Sequence, residues 1–338
     1  MTRRSRISLS ILALALPIFF GAGLFAGGVG LDAGEIIAAL CGKAESTVSF
    51  IVLDTRIPAL TTAMAASAAL AVAGLLMQTC FNNPLAGPSI MGISTGASLG
   101  VAVVLLALGG LLGFWGRLAV ITGAFAGAGA VLAILLFFSS FVRSADILLI
   151  IGILIGYLSS SAISLLNYFA TENSVHSFVM WGMGTFAGVG TESLPLFSAL
   201  SLLLICMCIP YCKSLNAMLL GSRYAESSGV DMKRTRSALL AISGALTAVV
   251  TAWCGPIGFI GLVVPHIARM MCGTANHKIL LPATALAGGA LGLICQIASV
   301  APSLVTGTIL PINAITPLIG VPIIIYVLLN RHRLVYFS

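Results

Sequence analysis

The sequence predicts an all-α, polytopic membrane protein with about ten transmembrane helices, and three observations predict it. The 338 residues are 59% hydrophobic and 7% charged, with a mean hydropathy of +1.14. A soluble fold of that composition has too few polar side chains to cover its surface, so lipid is the solvent for most of the chain. Apolar stretches long enough to cross a bilayer, roughly 20 residues each, recur along the whole length with short polar breaks between them. The basic residues then sort to alternate breaks, the distribution that sets membrane orientation.

The first span covers 7–28 behind a basic head, Arg3, Arg4 and Arg6. A basic head and an apolar run also fit a cleaved signal peptide, but this run is long and its loss would leave an odd number of spans. Residues 29–55 carry Asp32, Glu35, Glu45 and Asp54 and predict an acidic external segment with a short helix at 33–41. The second span, 57–80, ends at the turn formers Asn82-Asn83-Pro84. The third, 89–108, leads through a Gly-rich external turn to Arg117, and the fourth is 118–139. A short internal loop, 141–146, precedes the fifth span at 147–168. The external stretch 169–192 holds Glu172, His176 and WGMGTFAG (181–188), read as a short helix near the surface.

The sixth span is 193–211 and the seventh 237–254, with the chain's long charged run between them. The eighth, 257–272, contains Pro265. A proline there removes one hydrogen bond and crowds the carbonyl of Gly261, so a break in that helix is expected, with neighbours satisfying the freed group. The ninth span is 279–300; the tenth, 312–330, carries Pro317 and Pro322 and ends in Arg331-His332-Arg333. Both termini fall on one side. Ten spans also divide into two sets of five of opposite sense, as an inverted repeat would.

On this assignment Arg3, Arg4, Arg6, Arg143, Lys213, Arg223, Lys233, Arg234, Arg236, Arg269, Lys278, Arg331 and Arg333 share one side, and Lys43, Arg56 and Arg117 the other, 13 of the 16 basic residues against 3. That bias marks the first side as cytoplasmic, so the net charge of +7 is a topology signal and does not imply nucleic acid. Cys206, Cys208 and Cys212 look like a cluster, but 206 and 208 point to nearly opposite faces of a helix. These three are read as small buried side chains and the other five as scattered, mostly in apolar surroundings, with no metal site and no cofactor expected.

The run from Gly221 to Arg236, GSRYAESSGVDMKRTR, carries the functional signal. Gly221, Ala225 and Gly229 recur every four residues, so on a helix they form one smooth stripe. Small-residue stripes usually pack two membrane helices, but Arg223, Glu226 and Asp231 interrupt this one, and charges inside hydrocarbon are costly. The segment is therefore placed outside the bilayer, where a small face suits docking of another protein. No phosphate-binding loop accompanies it, because Gly42-Lys43 lacks the glycine five positions earlier that such a loop requires. If ATP drives this protein, another chain binds it.

The stretches RIPA (56–59), ALAVAGLLMQTCFNNPLAGPSIMGISTGASLG (69–100), MWGMGTFAGV (180–189), LGSRYAESSGVD (220–231), GPIGFIGLVVPHIAR (255–269) and LPINAITPLIGVPIIIYVLL (310–329) resemble, in order, the FecCD family of ABC-importer permeases. The resemblance implies a single permease domain over 1–338 with a cytoplasmic coupling loop at about 212–236. Gly221, Ser222, Arg223, Ala225, Glu226 and Gly229 would then couple to an ATPase, and the loop around Ser144 and Ala145 would form the cytoplasmic constriction. The fifth and tenth spans and the helix carrying Met180, Trp181 and Met183 would line a pathway between two permease copies. Arg56 would meet the binding protein, although the second arginine common in this motif is replaced by Ala59 and the turn at 301–309 has no arginine.

The implied assembly is a homodimeric permease with two ATP-binding cassette subunits and an extracytoplasmic binding protein, in the inner membrane of a bacterium with both termini cytoplasmic. Its cargo would be a metal chelate: an iron–siderophore as the commonest family substrate, with haem or cobalamin as alternatives. The chain itself would not be an enzyme. An ion-coupled secondary transporter is the rival reading, but that class needs ionisable groups at mid-membrane, and all nine acidic residues fall in loops or at span ends. His266, after Pro265, is expected to make structural hydrogen bonds, and Arg269 to reach the inner surface along its aliphatic stem.

Overall fold

The computed structural model describes residues 2–109, 113–142, 144–303 and 307–329. Arg143, residues 304–306 and the terminal Arg331-His332-Arg333 lie outside the described residues. All regular structure among those described is helical. Helix α1 (Arg3–Phe25) is followed by α2 (Ala33–Leu40), α3 (Ser46–Ser49), a π-helical turn (Phe50–Arg56) and α4 (Ile57–Cys80). Then come α5 (Ile93–Ala102, extended by a π-helical turn to Ala107), α6 (Gly113–Phe141), α7 (Ala145–Phe169), α8 (Glu172–Gly182) and α9 (Leu194–Cys206). The chain closes with α10 (Cys212–Met218), α11 (Ser222–Ser227), α12 (Met232–Cys254), α13 (Ile260–Cys272), α14 (His277–Val300) and α15 (Ile312–Leu329). Among the described residues, seven apolar helical stretches are long enough to cross a bilayer, and α5, α13 and α15 supply three shorter ones.

Local chemistry explains where these bounds depart from expectation. The third span starts at Ile93 because Gly92 adopts φ +75°, a turn that L side chains resist. The sixth span stops at Cys206, and Pro210, which has no amide proton to donate, turns the chain into α10. The short helix expected within 169–192 lies at Glu172–Gly182, and Phe186–Gly188 form only a 3-10 turn. Helix α12 begins at Met232, where the Asp231 carboxylate caps it by accepting from Arg234 N at 3.0 Å. Pro265 does not break α13. The helix runs through it to Cys272, and next to the Gly261 carbonyl that it leaves without its helical donor, Gln78 Nε2 donates to the Leu262 carbonyl at 3.0 Å.

Helices α4, α12 and α14 form the interior, while α1, α6, α7 and α9 present most of their surface outward. Helix α4 packs along α14, and α12 packs along α6. In span order the second packs on the ninth and the seventh on the fourth, the exchange expected of two inverted halves.

Lipid gives no hydrophobic drive between helices, so close backbone approach has to hold them together. Three glycine contacts provide it. Gly96 and Gly100 of α5 face Gly127 and Gly123 of α6, and a Cβ on Gly100 or Gly127 would collide with the carbonyl of Gly123 or Gly96. On its other side α5 meets α7, where Gly92 sits against the backbone of Gly152 and Gly156. Gly74 of α4 lies against the Gly261 carbonyl, the acceptor left open by Pro265, and again leaves no space for a side chain.

Gly127→Ala is expected to force α5 and α6 apart and to destabilise the detergent-solubilised chain by about 1–3 kcal/mol. Gly129, on the same helix, faces open space: a Cβ there would meet nothing within 4 Å. Gly129→Ala should therefore be neutral or stabilising by about 0.5–1 kcal/mol. Thermal unfolding of the two variants side by side checks the seam.

Candidate functional site

At one end of the bundle the chain forms an open cavity of about 1290 Å³. Its walls are the end of α4 and the following turn (Thr79–Asn82), the end of α6 (Ser139–Phe141), Ser144 and Ala145, the segment Gly221–Arg223 with Glu226, and Val230–Lys233 with Arg236. The residues predicted as constriction and as docking segment, far apart in the sequence, thus face one space. Ser144 caps α7, its Oγ accepting from Ile147 N at 3.5 Å, and Ala145 is the first residue of that helix.

The predicted small-residue stripe does not exist. Helix α11 is six residues long, and Gly221 (φ +100°) and Gly229 (φ +85°) lie outside it in turns that only glycine adopts without strain. Ala225 is fully buried and points into the bundle, so it cannot present a smooth face to a partner. The periodicity of four arises because two turns bracket a short helix. What α11 shows to solvent is Ser222, Arg223, Tyr224, Glu226 and Ser227. Spacing does not single out Tyr224; its exposure of 52% marks it as part of this face.

Behind the cavity lies a layer of buried polar side chains that the apolar pattern conceals. His266 Nε2 donates to the Pro84 carbonyl at 2.9 Å, which fixes the turn after α4. Gln78 Oε1 accepts from Arg269 Nη1 at 2.6 Å. With the Gln78 amide nitrogen already committed to Leu262 O, its 3.4 Å approach to His266 Nε2 is donor to donor and bonds nothing. His266 is thus a structural histidine, as expected. Arg269 is a correction: it is 7% exposed and held inside by Gln78, and does not extend to the surface. Asn83 behaves as a turn former, its Oδ1 accepting from Leu85 N at 2.9 Å. His277, at the start of α14, is fully buried between α4 and α10. Arg4 closes the same end, donating to the last carbonyls of α13, Met271 O (3.1 Å) and Met270 O (2.6 Å).

At the opposite end Arg56 also departs from expectation. It is 7% exposed, and its guanidinium donates to the carbonyls of Leu24 and Val29. Gly27 lies so close to that guanidinium that any side chain there would displace it. Arg56 therefore staples the end of α1 to the start of α4 and is not a surface docking residue. The charges that this face does expose are Asp32, Glu35, Lys43, Glu45 and Asp54, together with Arg117, Glu172 and Glu192.

A second cavity, about 430 Å³, lies between α5, α7, α8 and α15 and is lined by Ser94, Thr95, Ser98, Ile163, Phe178 and Asn313, among others. Asn313 joins three of the motifs read in the sequence: its Oδ1 accepts from Gly258 N (3.2 Å) and its Nδ2 donates to Gly182 O (3.1 Å) and Pro256 O (2.5 Å). Met180 and Met183 are exposed beside it, whereas Trp181 turns inward and stacks on Phe178 with ring centroids 6.3 Å apart. Among the described residues no ionisable side chain lines this cavity, and all nine carboxylates of the chain are exposed.

Comparison with known proteins agrees along the whole length. The vitamin B12 import system permease protein BtuC of Salmonella arizonae is 35% identical over 330 residues, covering 97% of this chain and 94% of that protein. The protein of the same description from Salmonella typhimurium is 36% identical over 330 residues, covering 97% and 95%. A solved structure described as an inward-facing conformation of a metal-chelate type ABC transporter superposes with a TM-score of 0.83 at 31% identity, over 96% of this chain and 98% of that one. The model of the FecCD transport family matches residues 14–330, and the chain belongs to that family.

Proposed function

We propose that the chain is the membrane-spanning permease of an ATP-driven importer, working as one of two identical copies, with cargo of the cobalamin class. The observation that carries this reading is the shared cavity. A partner that shifts α11 changes the wall opposite Ser144 and Ala145 directly, without relay through a distant element. Two ATP-binding cassette subunits would seat on Ser222, Arg223, Tyr224 and Glu226 and carry out the hydrolysis. The basic end is then cytoplasmic, with both termini there, and the membrane is a bacterial inner membrane.

The exposed apolar faces of α7 (Leu154, Tyr157, Leu158) and α15 (Leu318, Ile325, Tyr326) support a second copy packed against them. An extracytoplasmic binding protein would meet the opposite face, where the exposed charges are mostly acidic. A cobalamin-class cargo is supported by the curated relatives and by the wall of hydroxyls and apolar groups at Ser94, Thr95, Ser98 and Phe178, which suits a large neutral chelate. The iron–siderophore expected from family frequency has no such support. The position of all nine carboxylates in loops or at span ends also speaks against ion coupling through a carboxylate within the membrane.

Two outcomes test the proposal. Proteoliposomes holding the chain with its ATPase subunits and binding protein should accumulate cyanocobalamin only with ATP. Preference for a ferric hydroxamate or haem would reassign the cargo, and accumulation by the chain alone under an ion gradient would overturn the mechanism. Separately, Tyr224→Ala should reduce recovery of the ATPase subunit on purification, by about 2 kcal/mol of binding if Tyr224 is a hot spot. The thermal midpoint of the permease should stay unchanged, because Tyr224 is exposed in the isolated chain.

A further inference from the structure

The docking segment reaches the bundle through α10, which ends shortly before α11. Its apolar side chains Cys212, Leu215 and Met218 are buried, but apolar contacts can slide. Directional bonds do not slide, and α10 has one set of them. Asn276 Oδ1 caps α14, accepting from Lys278 N at 3.0 Å, so the group that meets it from Asn216 must be the amide nitrogen, at 3.0 Å. This turns Asn216 Oδ1 towards His277, where it accepts from the backbone amide at 2.8 Å. The same oxygen lies 2.9 Å from His277 Nδ1, so Nδ1 must carry a proton. In the neutral ring Nε2 is then an acceptor, and its partner at 2.9 Å is Thr79 Oγ1.

Thr79 has one hydroxyl proton and a second acceptor, Leu75 O, at 3.0 Å. That carbonyl already accepts the Thr79 amide within α4, whereas His277 Nε2 has no other donor in the network. The proton therefore goes to His277. The result is an unbroken, one-way series of donors: Thr79 to His277, His277 to Asn216, Asn216 to Asn276. It ties α10 to the end of α4, and the residues that follow Thr79, Cys80, Phe81 and Asn82, line the large cavity across from Ser144 and Ala145.

We propose that Asn216, His277 and Thr79 are positioning residues that carry displacement of the docking segment into the end of α4, so that docking and the cavity wall move as one body. This rests on the reading that 212–236 receives the ATPase. Thr79→Val keeps the shape of the side chain and removes the hydroxyl donor; Thr79→Ser keeps the donor. The reporter is Ser140→Cys, an exposed position on the cavity wall, whose alkylation by a water-soluble maleimide is followed by peptide-resolved mass spectrometry in the reconstituted complex, with and without ATP and vanadate. The nucleotide-dependent change in that rate should fall about fivefold in Thr79→Val, the equivalent of one net hydrogen bond, and return in Thr79→Ser. ATPase recovery should stay at the wild-type level in both, because the exposed face of α11 is untouched, an outcome that a merely destabilised fold would not give.

Should Thr79→Val fail to fold, Asn216→Ala at the half-buried end carries the same expectation. A full nucleotide response in either variant, or failure of Thr79→Ser to restore it, overturns the link alone. ATPase recovery that is indifferent to Glu226→Arg overturns the docking reading and the link with it.

Discussion

Within lipid a polar group has no water to fall back on, so each buried donor and acceptor must be answered from within the chain. In this protein that constraint decides where helices are tied together and where they are free to move. Glycine contacts hold α5 against α6 and α7, and α4 against α13, by close approach and resist separation, yet carry no directional bond. Among the described residues the polar ties include the layer of Gln78, Thr79, His266, Arg269 and His277 at the basic end, the Asn313 junction and the Arg56 staple at the opposite end, and the bond from Ser243 Oγ to Ala73 O between α12 and α4. The basic-end layer and the Asn313 junction each fix a turn beside a cavity.

That distribution suits a permease worked from outside. The basic-end layer holds the turn after α4 through the bond from His266 to Pro84, and that turn shares a cavity with the docking segment and the start of α7. A body that includes α10, the end of α4 and the start of α14 can respond as a unit when a partner moves α11. The outward faces of α7 and α15 carry large apolar side chains, as expected of surfaces that meet lipid or a second copy. The Asn313 junction binds α8, the 256–258 loop and the start of α15, so the motifs read as separate stretches are parts of one constructed corner.

Much of this is legible in the sequence, and the limits have physical causes. The second span reads as 57–80 and α4 occupies Ile57–Cys80, because Pro58 and the Asn82-Asn83-Pro84 turn punctuate it at both ends. The family is legible from motif order. The stripe at Gly221, Ala225 and Gly229 misleads because spacing reports periodicity only if the helix is continuous, and positive φ at two of the three positions breaks it. The burial of Arg56 cannot be read, since its partners are backbone carbonyls of Leu24 and Val29, which leave no side-chain signature. Asn216 and His277 leave a faint one: polar residues flanking apolar runs, with no charge to draw attention. Pro265 reads as a break, whereas α13 runs through it from Ile260 to Cys272.

The most direct test of the account is a cryo-EM structure of the chain assembled with its ATPase subunits in a lipid nanodisc. The account predicts α11 seated in a cleft of the ATPase through Arg223, Tyr224 and Glu226, with α10 still bonded to His277 and the second permease copy against α7 and α15. An ATPase contacting other parts of the chain, with α11 left in solvent or submerged in lipid, would contradict it.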